Sequence, residues 1–87
     1  MPTLRIRVTS KFKKSFRKLP KEIQEKAKEK EVLFRENPFN PRLNTHKLHG
    51  KYKNFLAFSV VGQYRILFSF TNSSADFINI GTHEIYK

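Results

Sequence analysis

The first residues with a clear period are Thr3 to Val8. Leu4, Ile6 and Val8 alternate with Arg5 and Arg7, which predicts a half-buried strand with a basic outer face. The period then lengthens. Phe12, Phe16 and Leu19 recur at helical spacing, with Lys11, Lys13, Lys14, Arg17 and Lys18 between them and Ser10 in the place of an N-cap. A short amphipathic helix is expected over Lys11 to Lys18. Pro20 stops that helix and suits the first residue of another. Lys21 to Glu36 is rich in strong helix formers. Ile23, Ala27, Lys30 and Phe34 share one stripe, Val32 and Leu33 broaden its apolar end, and Glu22 stands four residues before Lys26 for a local ion pair. Pro38 and Pro41 close the helix. The two helices are expected to form a hairpin on one face of a sheet.

The second half of the chain returns to a period of two. After an irregular connection from Asn37 to Thr45, His46 to Gly50 reads as a short edge strand and Lys51 to Asn54 as a basic turn. Phe55 to Val61 and Tyr64 to Phe70 are strands joined by the turn Val61-Gly62-Gln63. In the return strand Tyr64, Ile66, Phe68 and Phe70 share one face, and Arg65, Leu67 and Ser69 share the other. Asn72-Ser73-Ser74 is a polar turn, and Asp76 to Ile80 is the last strand, with Ile78 and Ile80 on one face. The order β-α-α-β-β-β-β predicts an α+β fold. A helical hairpin packs on a curved, mostly antiparallel sheet of four to five strands.

Composition narrows this picture. The chain has 87 residues, which fits a single domain spanning 1–87. Nine Phe and a hydrophobic content of 38% supply a core. Without Cys there is neither a disulfide framework nor a cysteine zinc site, and a reducing compartment is permitted. No apolar run is long enough to span a bilayer, and the first residues lack the continuous apolar core of a signal peptide. A soluble, cytoplasmic protein with no membrane association is expected. The charge adds most. Eighteen Lys and Arg stand against seven Asp and Glu, for a net +11. A field of that sign and size attracts polyanions, either nucleic acid or an acidic protein partner.

Three residues in and after the last strands could carry chemistry. Arg65 lies in a hydrophobic strand, where a guanidinium is costly unless it reaches solvent or a partner. It suits bidentate phosphate recognition, or it is an exposed arginine on the open face of a one-sided sheet. His83 follows Gly81-Thr82 and could act as general acid or base, or be an ordinary loop histidine. Tyr86 could donate a proton or stack a base, or pack back on the core. His46 and His49 flank Leu48. With no Cys and few nearby carboxylates they make a poor metal set, so neither a metal site nor a cofactor is expected. Lys11, Lys14, Lys47, Lys51 and Lys53 are the candidate RNA-contacting lysines. The chain carries no phosphate-binding loop, dinucleotide fingerprint or nucleophile elbow. Arg, His, Tyr and Lys together suit RNA cleavage without a metal. That reaction needs a proton taken from the 2′-hydroxyl, cations on the phosphorane and a proton for the leaving oxygen.

These residues also carry a resemblance. The junction Leu19-Pro20 after the opening strand and helix, the KLHG step from Lys47 to Gly50, the YRILFSF strand from Tyr64 to Phe70 and the closing IGTHEIY from Ile80 to Tyr86 resemble the RelE/ParE toxin superfamily over nearly the whole chain. The resemblance implies the toxin of a type II toxin–antitoxin module, and an antitoxin that wraps around it as a hetero-oligomer. In the RelE/YafQ-like branch it implies a ribosome-associated endoribonuclease acting on mRNA. The active site there is an arginine of the Y-R-I strand with a C-terminal histidine and tyrosine. Those match Arg65, His83 and Tyr86, and the histidine before L-x-G matches His46. The same fold also implies an alternative, a DNA gyrase poison that cleaves nothing.

Overall fold

The computed structural model describes residues 4–82 and residue 85. Strand β1 (Arg5–Val8) leads into helices α1 (Ser10–Arg17) and α2 (Lys21–Glu36). A 3₁₀ turn (Pro41–Leu43) precedes β2 (His46–Lys47), and a second one (Gly50–Tyr52) precedes β3 (Leu56–Ser59). Strands β4 (Arg65–Thr71) and β5 (Ser74–Gly81) complete a five-stranded sheet in the order β1-β5-β4-β3-β2. The fold is α+β, as the order of periods predicts. Three of the four strand pairs are antiparallel, while β1 runs parallel to β5 at one edge.

The helical hairpin is pinned by two polar side chains. Thr9, and not Ser10, is the N-cap of α1. Its extended backbone ends the strand, and its Oγ1 accepts the Phe12 N–H at 3.1 Å. The same hydroxyl donates to the Ile78 carbonyl at 2.9 Å, so the start of α1 is fixed to β5. At the other end Gln24 Nε2 donates to the carbonyls of Phe16 and Leu19, each at 3.0 Å. These carbonyls belong to the open end of α1 and the link behind it, and that of Phe16 also accepts from the Leu19 N–H at 3.1 Å. Pro20 sits just outside α2 as its cap residue, and its carbonyl accepts from Ile23 and Gln24. The Glu22–Lys26 pair expected on α2 is replaced by Lys26 with Glu29, at 3.9 Å.

Phe34 joins the two layers. It is fully buried and packs at 4.8 Å on Phe58, at 4.8 Å on Phe68 and at 5.3 Å on Phe77, which are side chains of β3, β4 and β5. Phe12, Ala27, Leu43, Ile66 and Ile80 complete this helix-side core. Leu33 packs against it, but Val32 is 57% exposed, so the apolar stripe of α2 is narrower than its sequence implies. A smaller cluster of Leu48, Ala57 and Leu67 lies on the other face, with Tyr52, Phe55, Ile78 and Ile85 against it.

Two strand expectations change. Ile78 and Ile80 fall in different clusters, because Leu67 pairs with Asn79 while Phe68 pairs with Phe77. Ile78 is the additional residue of a β-bulge, and simple alternation fails there. The strand expected over His46 to Gly50 ends at Lys47. Gly50 adopts φ +69, which turns the chain out of the ladder after Leu48 has entered the smaller cluster. Among the described residues no helix is long and apolar enough to cross a membrane.

Removing the Phe34 ring empties the point at which α2 meets three strands. Phe34→Ala is expected to cost about 3–5 kcal/mol in chemical denaturation, and Thr9→Ala about 1 kcal/mol. A Phe34→Ala variant as stable as wild type would show that the helical layer is held elsewhere.

Candidate functional site

Alternation along β4 sorts its side chains. Ile66 and Phe68 enter the helix-side core, and Leu67 joins the opposite cluster. Arg65 is the first residue of β4 and not its middle, on the same face as Leu67 by the period of two. Register then places neighbours. Arg65 stands between Ser59 of β3 and Gly81 of β5, and Leu67 between Ala57 and Asn79. His46 pairs with Ala57 across β2 and β3. The open face therefore carries two rows, His46–Ala57–Leu67 and Ser59–Arg65–Gly81, one pleat apart. Ordinary sheet spacing separates the Cα atoms of His46 and Arg65 by about 12 Å. A nucleotide with its flanking phosphate spans such a gap.

Each of the two polar side chains is held by backbone. Arg65 is half-buried, and its Nη1 donates to the carbonyls of Gly62 at 3.0 Å and Tyr64 at 3.2 Å. Its Nε and Nη2 hydrogens have no partner among the described residues, which leaves a planar donor edge. His46 is exposed, with Nδ1 2.9 Å from the Asn44 carbonyl. A carbonyl only accepts, so Nδ1 carries the hydrogen and the neutral ring presents a lone pair at Nε2. Asn44 can aim that carbonyl because it sits in the left-handed region at φ 51, which asparagine tolerates. Sequence reasoning did not single out Asn44, Ser59 or Gly62. The αL-tolerant Asn two residues before the histidine was the available signal.

The chain after β5 turns back over this face. Ile85 N–H donates to the Thr82 carbonyl at 3.0 Å, and the Ile85 side chain packs against the Leu48, Ala57 and Leu67 cluster. It lies so close to Gly81 that a Cβ there would meet Ile85 Cγ2 at 2.7 Å. A side chain at position 81 would have to push Ile85 aside, so it is this approach and not the dihedral angles that favours glycine. His83, Glu84 and Tyr86 lie outside the described residues.

The lysines divide into two groups. Lys47, Lys51 and Lys53 are exposed along the β2 edge, and Lys51 Nζ stands 5.3 Å over the Tyr52 ring. Lys11 and Lys14 are exposed on α1, the helix tied to β5 through Thr9. Ion pairs among the described residues involve Arg7, Lys26 and Arg35, so neither lysine group is neutralised there. Among the described residues no three His, Cys, Asp or Glu side chains gather as a metal site would require.

No protein-family model matches the chain, and no curated protein matches it in sequence. Solved structures do match in shape. YafQ from E. coli strain BL21(DE3) superposes with a TM-score of 0.78 at 20% identity, covering 94% of this chain and 97% of that one. The archaeal RelE–RelB complex from Pyrococcus horikoshii OT3 gives 0.75 at 17% identity, over 93% and 96% of the two chains. A YoeB/ParE toxin from Agrobacterium tumefaciens gives 0.75 at 12% identity, over 91% and 98%. With the same helical hairpin, the same open sheet and coverage of nearly every residue on both sides, the chain has the fold of the RelE/ParE toxin superfamily.

Proposed function

We propose that the chain is the toxin of a type II toxin–antitoxin module and a metal-independent endoribonuclease acting on mRNA at the ribosome, in the cytoplasm. The observation that carries this reading is the open face. Among the described residues Arg65 has a donor edge without a partner, and His46, about 12 Å away between Cα atoms, has an Nε2 without one, in a chain with a net charge of +11 and a toxin fold. A histidine takes the 2′-hydroxyl proton, and the 2′-oxygen attacks phosphorus. Arg65 stabilises the phosphorane, and the 5′-oxygen leaves with a proton. His46 fits one proton transfer. His83 is the second candidate by resemblance, and Tyr86 would position the scissile nucleotide or assist proton transfer. The β2-edge lysines, with Lys11 and Lys14, bind the polyanion through the field.

A cationic chain with an apolar floor calls for an acidic, apolar partner. The DinJ–YafQ and RelE–RelB structures are toxin–antitoxin complexes, which supports an antitoxin and a hetero-oligomer here. Primer extension on transcripts after a brief pulse of expression tests the reading. New 5′ ends inside coding regions are expected. Intact transcripts with an induced DNA-damage response would identify a gyrase poison instead.

The roles also separate kinetically. Arg65→Lys keeps the charge and loses the planar fork, so cleavage at saturation should slow by roughly 10- to 1000-fold with little change in binding. His46→Ala should slow it by roughly 100-fold, the scale of one proton-transfer group. Replacing two or three of the candidate lysines should weaken binding and flatten its salt dependence. Single-turnover cleavage beside a salt titration of binding measures both. Equal effects of all three classes on the bound-state rate would reduce Arg65 and His46 to members of the basic surface.

A further inference from the structure

The hairpin between β3 and β4 has no evident packing reason for its sequence. Val61, Gly62 and Gln63 are all exposed. Tyr64 N–H donates to the Val61 carbonyl at 3.0 Å, and Val60 N–H donates to the Tyr64 carbonyl at 3.0 Å, so Gly62 and Gln63 are the central residues of a tight β-turn inside the loop that joins Val60 to Tyr64. Gly62 has φ +57, and among the described residues Gln63 is not one of those with positive φ. Positive φ at the first central position alone is the type II′ combination.

That choice has a consequence for Arg65. A residue that avoids positive φ at the first central position must reshape this turn, and the peptide between the two central residues moves with it. The Gly62 carbonyl belongs to that peptide, and in this turn it accepts from Arg65 Nη1 at 3.0 Å. The Tyr64 carbonyl, already an acceptor for Val60, accepts from the same Nη1 at 3.2 Å. Both bonds fall on one nitrogen. Among the described residues the Nε–Nη2 edge has no partner, and an edge of that shape binds two oxygens of a phosphate side-on.

We propose that Gly62 is a positioning residue for Arg65: the type II′ turn fixes the guanidinium so that its free edge meets a phosphodiester. Naming the phosphodiester rests on the ribonuclease reading above, whereas the held posture does not. A guanidinium already ordered by carbonyls needs no reorganisation as charge develops on the phosphorane. A Cβ at Gly62 would meet nothing within 4 Å, so substitution acts through backbone conformation and not through a clash.

Two variants and two readouts test this. Gly62→Val is averse to positive φ, and Gly62→Asn tolerates it. In ¹⁵N spectra at low temperature, the Arg65 Nη signals (assigned by their loss in Arg65→Lys) should be separate in wild type, because two carbonyls slow rotation about Cζ–Nη1. They should stay separate in Gly62→Asn and average in Gly62→Val. Bound-state cleavage in a translating extract should fall about 10-fold or more in Gly62→Val, the scale of one mispositioned transition-state donor. Half-saturation should be unchanged, and Gly62→Asn should stay close to wild type. Averaged Arg65 signals in wild type overturn the proposal even if Gly62→Val fails to fold. So does a folded Gly62→Val that averages the signals yet cleaves at the wild-type bound rate. Separate signals in a wild-type chain that cuts no transcript would support the posture and remove the ribonuclease reading alone.

Discussion

The contact of Phe34 with Phe58, Phe68 and Phe77 is the constraint on which the rest depends. One ring from α2 is held by three rings from three adjacent strands, so the helical layer has one seat on the sheet. Aromatic pairs at these spacings add to the burial of each ring. Because the side-chain period of a strand is two, seating Phe58 and Phe68 against α2 sends Ala57, Leu67 and Arg65 to the opposite face. The chemistry of the open face is thus a consequence of the packing of the closed one. A register slip of one residue would bury Arg65 under the helices and expose Ile66 and Phe68.

The open face is not bare. Leu48, Ala57 and Leu67 form a small apolar floor, covered in part by Tyr52, Phe55 and the returning Ile85. Lys51 and Lys53 are exposed in the segment that carries Tyr52, and Lys47 pairs with Leu56 and so faces the helix side of the sheet, while the ion pairs among the described residues gather on α2 and between Arg7 and Asp76. The two fixed polar groups, Arg65 and His46, are each held by carbonyls of a tight turn with a positive φ, at Gly62 and Asn44 respectively. Rigid elements set the Cα positions, and the turns set the donor and acceptor directions.

Much of this was legible in the sequence. The helix Lys21–Glu36 ends where its prolines and formers predict, and the two faces of β4 follow its alternation. What was not legible depends on non-local contacts. The parallel pairing of β1 with β5 leaves no mark in either strand's own pattern. Thr9 caps α1 in preference to Ser10 because its hydroxyl also reaches Ile78, far away in sequence. The bulge at Ile78 is set by its partner strand, so the period of β5 misleads at that point. At the site, the residue types of Arg65 and His46 pointed to chemistry, but their posture came from turn carbonyls, which carry no side-chain signature. His83 and Tyr86 rest on the resemblance, being outside the described residues.

The central claim is that the open sheet face, and not the helical face, receives RNA. Titrating the ¹⁵N-labelled chain at low salt with a short RNA whose 2′-oxygens are methylated tests this without cleavage. The largest chemical-shift changes should fall on His46, Ala57, Ser59, Arg65, Leu67 and Gly81, with Ala27 to Phe34 nearly silent. Changes confined to the helices, with Arg65 and its neighbours unmoved at saturation, would contradict it.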